Sequence, residues 1–216
     1  MIMTSTEDHI NNFIQACRQA ARCGLMRCSS GNMSLRLDEE RMLATATRSW
    51  MENISPAQVS VCRIEDGALL EGAKPTVEIG FHAGILRTRP EVNVVLHFQT
   101  PHATALACQQ DGAVNYAVIP EIPYYIGPVA RVPYYLPGSE ALACAVTDAM
   151  QKHDLVVMRN HGIVTVAEDY AHVIQKAEFF ELACSIITHS AGALSPLPEE
   201  DVQTLLALSQ TVKRSV

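Results

Sequence analysis

Two pairs of short strand-like runs, each joined by a tight acidic turn, place the strongest constraint on the fold. In the first pair, residues 33–37 alternate apolar and polar, and the apolar run resumes at 42–44 after the acidic turn 38–40. In the second pair, residues 59–64 and 68–70 flank Glu65-Asp66-Gly67. Turns this short leave no room for a helical crossover, so the paired strands must be antiparallel. The segment 33–70 therefore predicts a largely antiparallel sheet.

Helices and further strands follow this region along the chain. Apolar residues at helical spacing predict helices at 6–23, 79–86, 139–152, 170–189 and 199–208, and Pro101 opens a short helix at 103–109. β-Branched and apolar runs predict strands at 92–98, 155–158 and 163–166. The segment 116–138 contains five prolines and is predicted to be loops with short edge strands. Without an interdomain linker, residues 1–216 form one α/β domain.

Composition narrows the class of protein. The 216 residues include 16 basic and 23 acidic side chains, and the net charge of −7 argues against nonspecific binding to nucleic acid. No run approaches the roughly 18 apolar residues of a membrane span, and acidic residues stand where a signal peptide needs a basic region. Seven scattered cysteines without a Cys-x-x-Cys pair indicate free thiols in a reducing cytosol. We therefore expect a cytoplasmic globular protein with neither a membrane nor a nucleic-acid partner.

Two segments carry polar groups that the fold does not require. The loop Ser29-Ser30-Gly31-Asn32-Met33-Ser34 could offer backbone N–H groups and hydroxyls to an anion, although many such loops are ordinary turns. In Lys74-Pro75-Thr76-Val77-Glu78, the glutamate enters an otherwise apolar helix. Glu78 is either a helix-start charge that interacts favourably with the helix dipole or a general base whose pKa is raised by burial.

Two histidines lie at strand ends. His97 and Gln99 are two residues apart at the end of the strand 92–98, so both are expected to face one pocket. His161, in Asn160-His161-Gly162, lies between two short strands. A lone histidine is more often a hydrogen-bonded structural residue, but two that converge with a carboxylate would suit a catalytic metal.

In order along the chain, these motifs resemble the class II aldolase/adducin family and, among its enzymes, the L-fuculose-1-phosphate aldolases. The matching residues are Ser-Gly-Asn-x-Ser at 30–34, Thr47, Pro-Thr-Val-Glu at 75–78, Arg-Pro-Glu-Val-Asn-Val-Val-Leu-His at 89–97 and Asn-His-Gly at 160–162. The resemblance spans about residues 8–190, and the run 74–107 is its most specific part.

The resemblance implies a three-layer α/β/α sandwich with a central, mostly antiparallel sheet, assembled as a homotetramer with active sites between subunits. It also implies a divalent metal, usually zinc, that stabilises the enediolate formed when a ketose 1-phosphate is cleaved. Carried over by motif position, His97, Gln99 and His161 hold the metal and Glu78 is the acid/base. Tyr124, aligned across an apparent insertion at 109–117, is the proton donor to a neighbouring subunit's site. The phosphate site is formed by Gly31, Asn32, Thr47, Arg48 and Thr76.

Three departures from the family pattern bear on function. Gln99 replaces the second histidine of a His-x-His pair, which weakens zinc binding or favours a metal that prefers oxygen, such as manganese or cobalt. Arg48 stands where the aldolases have a glycine beside the phosphate, and Val77 where they have a second serine. The aldolases' C-terminal tyrosine has no counterpart, because residues 199–216 contain none.

The leading hypothesis is a metal-dependent aldolase that cleaves a phosphorylated deoxyketose, such as L-fuculose 1-phosphate, into dihydroxyacetone phosphate and an aldehyde. Among sibling enzymes, the ribulose-phosphate 4-epimerases usually carry aspartate at the position of Glu78, whereas the methylthioribulose-phosphate dehydratases keep glutamate. A rival from a different class is a metal-free oligomeric interaction protein comparable to the adducin head domain. Gln99 favours this rival, and the retention of His97, His161 and Glu78 favours an enzyme.

Overall fold

The computed structural model describes residues 6–110, 114–190 and 192–213. The helices in these ranges are α1 (Thr6–Arg22), α2 (Ile79–Thr88), α3 (Pro101–Ala107), α4 (Glu140–Met150), α5 (Tyr170–His189) and α6 (Glu199–Lys213). The strands are β1 (Asn32–Arg36), β2 (Arg41–Thr45), β3 (Val59–Arg63), β4 (Leu69–Gly72), β5 (Val94–Phe98), β6 (Val129–Val132), β7 (Leu155–Met158) and β8 (Gly162–Ala167).

The eight strands form one sheet in the order β4-β3-β2-β1-β5-β8-β7-β6. The antiparallel pairing predicted for the segment 33–70 is confirmed, because β1 pairs with β2, β2 with β3 and β3 with β4 in that sense. Only β6 and β7 are parallel, and α4 makes the crossover between them. Strands β1, β5 and β8 therefore lie at the centre of the sheet.

Helices cover both faces of the sheet and give the predicted three-layer α/β/α sandwich. Alternate residues of β5 divide between the two layers, since Val94, Leu96 and Phe98 pack with α1, α3 and α5, whereas Val95 packs with α2 and α4. His97 shares the face of Val95. Its side chain consequently lies on the side of the sheet that carries α2.

Some element boundaries differ from those the sequence predicts. Helix α3 begins at Pro101, whose fixed φ suits a first helical position, and α6 continues to Lys213 rather than ending at 208. In the proline-rich segment, a π-helical turn at Ile122–Ile126 precedes the edge strand β6. Residues 111–113 of the apparent insertion lie outside the described part of the chain.

The seven cysteines are all free thiols, as predicted. Among the described residues, no helix combines the length and the apolar character that crossing a membrane requires.

Candidate active site

The central strands bring His97 and Asn32 side by side. The pairing of β1 with β5 sets Asn32 directly opposite His97, and directly opposed residues of an antiparallel pair share a face. Both side chains are buried. The loop before β1 reaches this point through Gly31, where φ is +79° and a Cβ would lie 2.7 Å from the backbone oxygen of His97. Only glycine allows this close approach of the two segments.

His161 reaches the same end of the sheet from a tight turn. Strands β7 and β8 pair antiparallel from Met158 opposite Gly162, which leaves three residues in the connection. Asn160 has a φ of +52°, a left-handed conformation that asparagine adopts more readily than most residues. The Asn-His-Gly sequence thus forms a sharp hairpin turn that holds His161 beside β5.

Glu78 enters the site from the start of α2. Its side chain makes no capping hydrogen bond to the helix, so the interpretation of Glu78 as a simple helix-start charge does not describe its contacts. The hydroxyl of Thr76 instead accepts a hydrogen bond from the backbone N–H of Glu78 at 3.3 Å. This contact leaves the carboxylate free to face the sheet.

Glu78, His97 and His161 converge on one point. Oε1 of Glu78 lies 3.2 Å from Nε2 of His161, and Oε2 lies 3.5 Å from Nε2 of His97. One ligand atom from each of the three residues lies within 4.8 Å of the others. Glu78 and His97 are buried, and His161 is nearly so. The convergence expected of the two histidines and a carboxylate is therefore observed.

The polar atoms of this group fit a bound cation. His97 Nδ1 lies 3.0 Å from the carbonyl oxygen of Ile163, which can only accept, so Nδ1 carries a proton and Nε2 is the ring nitrogen that faces Glu78 and is left for a metal. Metal-binding histidines typically make this contact through their second ring nitrogen. Oε1 of Glu78 is buried without a hydrogen-bond partner. Two imidazoles and a carboxylate could thus bind a divalent metal.

The charges in the site shift two pKa values. Burial by itself raises the pKa of the Glu78 carboxyl, but the charge of His97 and the hydrogen bond from Asn32 outweigh burial and lower it below its usual range. The sequence-based expectation of a raised pKa is therefore wrong, because it counted burial without these neighbours. Burial and the charge of His97 lower the pKa of His161 to about 4. His161 is neutral at pH 7, as a metal ligand must be.

Gln99 lies next to the histidines and contacts one of them directly. Its amide Nε2 donates a hydrogen bond of 2.9 Å to the backbone oxygen of His161. Gln99 and His97 both approach Gly162 closely, which agrees with their predicted orientation toward one side. The role of Gln99 as a metal ligand stays a prediction.

The residues predicted to bind phosphate lie around the end of β2. The backbone N–H of Thr47 bonds to the carbonyl of Lys74 at 3.0 Å, and Thr45 Oγ1 accepts from the N–H of Met33 at 3.3 Å. The loop containing Gly31, the turn containing Thr47 and Arg48, and the segment containing Thr76 are thereby joined. Arg48 is exposed and has a φ of +59°. Its left-handed backbone explains why glycine suits this position.

Asn32 makes contacts that the sequence did not predict. Its Nδ2 donates to Oε2 of Glu78 at 2.9 Å, and its Oδ1 lies 2.5 Å from Nε2 of His82. Nδ1 of His82 lies 2.8 Å from the hydroxyl of Ser34. Sequence reasoning missed His82 and the contact that Ser34 makes with it, although His82 lies one helical turn after Glu78, a spacing that puts both on one helix face.

Tyr124 does not join this site within one chain. It lies in the π-helical turn before β6 and lines a cavity of about 510 Å³ with Arg89, Asp154 and Lys176. The parallel pairing of Val129 with Leu155 places this turn at the end of β7 that lies away from His161. Tyr124 and Glu78 are therefore at opposite ends of the sheet.

Comparison with known proteins agrees with this fold. Residues 11–188 match the family described as the class II aldolase and adducin N-terminal domain. The 3-oxo-tetronate 4-phosphate decarboxylase of Haemophilus influenzae is 34% identical over 155 residues, which cover 70% of this chain and 73% of that enzyme. The L-fuculose phosphate aldolase of Methanococcus maripaludis is 29% identical over 173 residues, which cover 80% of this chain and 92% of that enzyme.

A solved structure shows the same architecture. The crystal structure of YgbL from Klebsiella pneumoniae superposes with a TM-score of 0.87 at 24% identity, over 94% of this chain and 99% of that chain. The chain belongs to the class II aldolase and adducin family, and it is an enzyme of the class II aldolase superfamily with a group of side chains that could bind a metal.

Proposed function

We propose that the chain is a metal-dependent lyase that removes a carboxylate from a phosphorylated 3-keto sugar acid, of which 3-oxo-tetronate 4-phosphate is the simplest. The observation that carries the proposal is the convergence of one buried carboxylate, Glu78, with two imidazoles beside loops suited to an anion. The 34% identity to a decarboxylase of this substrate supports the choice of reaction.

The chemistry requires one proton and a place for negative charge. In a 3-keto acid the bond from C1 to C2 breaks, carbon dioxide leaves, and its electron pair passes into an enediolate across C2 and C3. A proton then adds to C2 and gives dihydroxyacetone phosphate. When bound, a divalent metal held by His97 and His161, with Gln99 as a further ligand, would supply positive charge to the developing oxyanion.

Glu78 is the proton donor in this scheme. Its carboxylate lies in the site, with Oε2 held by Asn32 and Oε1 without a hydrogen-bond partner. Its lowered pKa keeps it ionised at neutral pH in the free protein, so the proton is taken up before each turnover. In the reverse direction, the same carboxylate removes a proton from dihydroxyacetone phosphate.

Phosphate binding is assigned to the loops around the end of β2. Gly31 offers a backbone N–H group, and Thr47 and Thr76 add side-chain hydroxyls beside it. Arg48, which is exposed in the same turn as Thr47, would add a charge-assisted contact to the phosphate. Asn32 borders this site, but its amide already binds Glu78 and His82.

Proton transfer to and from the enediolate can be tested separately from the loss of carbon dioxide. Metal-loaded protein in D₂O should replace one carbon-bound proton of dihydroxyacetone phosphate with deuterium, detected by NMR. Glu78→Gln should abolish the exchange, whereas Glu71→Gln, on the exposed edge strand β4, should retain it. Release of carbon dioxide from 3-oxo-tetronate 4-phosphate then identifies the decarboxylase. Exchange without this release would contradict that assignment.

The second candidate is the aldolase that cleaves L-fuculose 1-phosphate, which is supported by the 29% identity to such an enzyme. Aldol cleavage forms the same enediolate but releases an aldehyde, so a second group must handle the proton of the C4 hydroxyl. Tyr124 is the candidate for this group. Because it lies at the far end of its own sheet, it would have to serve a neighbouring copy in a homotetramer.

Mixed assemblies test this arrangement. Under the aldolase hypothesis, the Glu78→Gln and Tyr124→Phe proteins are each inactive. When equal amounts of the two variants assemble together, about a quarter of the sites combine an intact Glu78 of one subunit with an intact Tyr124 of its neighbour. Recovery of aldolase activity on mixing supports shared sites. Full activity of Tyr124→Phe alone excludes the role of Tyr124.

The proposal also covers the identity of the metal ion and the cellular location of the protein. We assign the site to Zn²⁺, with Mn²⁺ or Co²⁺ as alternatives because of Gln99. Elemental analysis of protein purified without a chelator or histidine tag should find about one metal ion per chain, and His161→Ala should lose it. Protein that neither contains nor takes up metal would favour the interaction-protein alternative. The seven free thiols support a cytoplasmic location.

A further inference from the structure

A row of buried polar side chains adjoins Glu78 and has not yet been given a role in the proposed reaction. Ser34 contacts His82, His82 contacts Asn32, and Asn32 contacts Glu78, at 2.8, 2.5 and 2.9 Å. His82 and Ser34 have no measurable exposure to solvent, and Asn32 is 6% exposed. Burying this many polar groups is unfavourable unless each of them finds a partner.

The fold brings these residues together in two pairs. Asn32 and Ser34 are two residues apart on β1 and so project from the same face of the strand. Glu78 and His82 are four residues apart at the start of α2 and so lie on the same side of the helix. The neighbours of His82 in α2, Phe81 and Ile85, are apolar core residues. Packing alone would accept an apolar residue at position 82.

The direction of each hydrogen bond follows from its end at Glu78. An ionised carboxylate only accepts, so the amide nitrogen of Asn32 faces Glu78 and its oxygen faces His82. That oxygen also only accepts, so Nε2 of His82 must carry a proton. Burial lowers the pKa of His82 to about 3, which keeps the ring neutral, and Nδ1 therefore accepts from the hydroxyl of Ser34.

We propose that His82 is a positioning residue: it fixes the amide of Asn32 so that Asn32 holds Oε2 of Glu78 and leaves Oε1 to exchange the catalytic proton. The inference rests on the proposed function, in which Glu78 transfers that proton. Oε1 is suited to this task because it is buried, has no hydrogen-bond partner and faces His161 at 3.2 Å. Without the donor at Nε2, the amide can rotate and present its oxygen to the carboxylate, which repels it.

Kinetics of three variants test the proposal. His82→Leu removes the donor and should lower kcat roughly 10- to 100-fold, the usual effect of losing such a supporting contact, with KM and metal content changed less than about twofold. His82→Gln restores an N–H donor at a similar reach and should recover most of kcat. Ser34→Ala keeps the ring and should lower kcat less than His82→Leu. Equal kcat in the leucine and glutamine variants, both folded by circular dichroism, would overturn the proposal.

A spectroscopic measurement decides the hydrogen-bond directions without any activity. Nitrogen-15 NMR of the histidine rings in metal-free wild-type protein should show His82 neutral with the proton on Nε2, and Ser34→Ala should weaken this preference. A proton on Nδ1 of His82 in the wild type would overturn the proposal even if the enzyme is active. Wild-type protein with this tautomer but without proton exchange would instead overturn the proposed function alone.

Discussion

A Cβ atom on Gly162 would lie 2.7 Å from Cγ of Gln99 and 2.9 Å from Cε1 of His97. The missing side chain at position 162 is therefore what allows these two residues to approach the same point. Residue 162, the first residue of β8, must therefore be small, because Gln99 and His97 occupy the space that a larger side chain would need.

Gly162→Ala is expected to damage the proposed metal site. The added methyl group must displace Gln99 or His97, and overpacking of this kind lowers the free energy of unfolding by about 1–3 kcal/mol. Metal affinity, measured by competition with a chelator, should fall together with stability. Gly84→Ala is the control, because its Cβ would instead meet Thr147. It should lower stability and leave metal affinity intact.

Gln99→His is expected to strengthen zinc binding. A third imidazole is a better zinc ligand than an amide oxygen, so the affinity should rise by roughly tenfold or more. The same substitution should reduce any preference for manganese. Gln99→Leu, which has no ligand atom, should bind zinc no more tightly than the wild type. Unchanged zinc affinity in the histidine variant would mean that position 99 does not face the metal.

Arg48→Gly should increase the stability of the protein and weaken its binding of substrate. A non-glycine residue with a left-handed backbone costs roughly 1 kcal/mol, so glycine at φ +59° is expected to raise the free energy of unfolding by a similar amount. Loss of the guanidinium should raise KM for the phosphorylated substrate. Arg48→Ala separates the two effects, since it removes the charge and keeps the strain. Chemical denaturation and steady-state kinetics measure them.

Stability should depend on pH through His82. Its pKa is about 3 when folded and near 6.5 when unfolded, so between these values the unfolded chain binds the extra proton. The contribution is complete above pH 6.5 and is lost as the pH falls, at up to about 1.4 kcal/mol per pH unit. In metal-free protein, His82→Gln should flatten the pH dependence of the unfolding free energy over this range. An unchanged slope would show that His82 is accessible to protons in the folded state.

Local pattern predicted most elements of the fold. Helix α5 was predicted with its observed bounds from its apolar stripe, and in the structure the Asp169 side chain caps its start by accepting from the N–H of His172. The acidic turns likewise predicted the hairpins. The parallel pairing of β6 with β7 and the π-helical turn before β6 were not predicted. They depend on contacts between distant segments, and five prolines mask any local periodicity there.

The sequence predicted individual residues of the candidate site better than the contacts between them. Strand ends and motif order identified Glu78, His97 and His161 as candidates; the sheet register brings the two histidines together, and the start of α2 adds Glu78. The predicted direction of the Glu78 pKa shift was wrong because the charge of His97 and the donor from Asn32, 46 residues earlier in the chain, both arrive from other elements of the fold. His82 escaped notice because an isolated histidine in an apolar helix resembles an ordinary core residue until its partners are located.

The central position of β1, β5 and β8 has a consequence for how the protein can change during evolution. Asn32, His97 and His161 lie on or beside strands that have neighbours on both sides, so insertions there would disrupt the whole sheet. Thr47, Arg48 and Thr76 lie in connections between elements, where length and composition can vary without loss of the core. Under the proposed function, new substrates can therefore be acquired by altering the peripheral turns, while the central residues proposed to cleave the carbon–carbon bond are inherited unchanged.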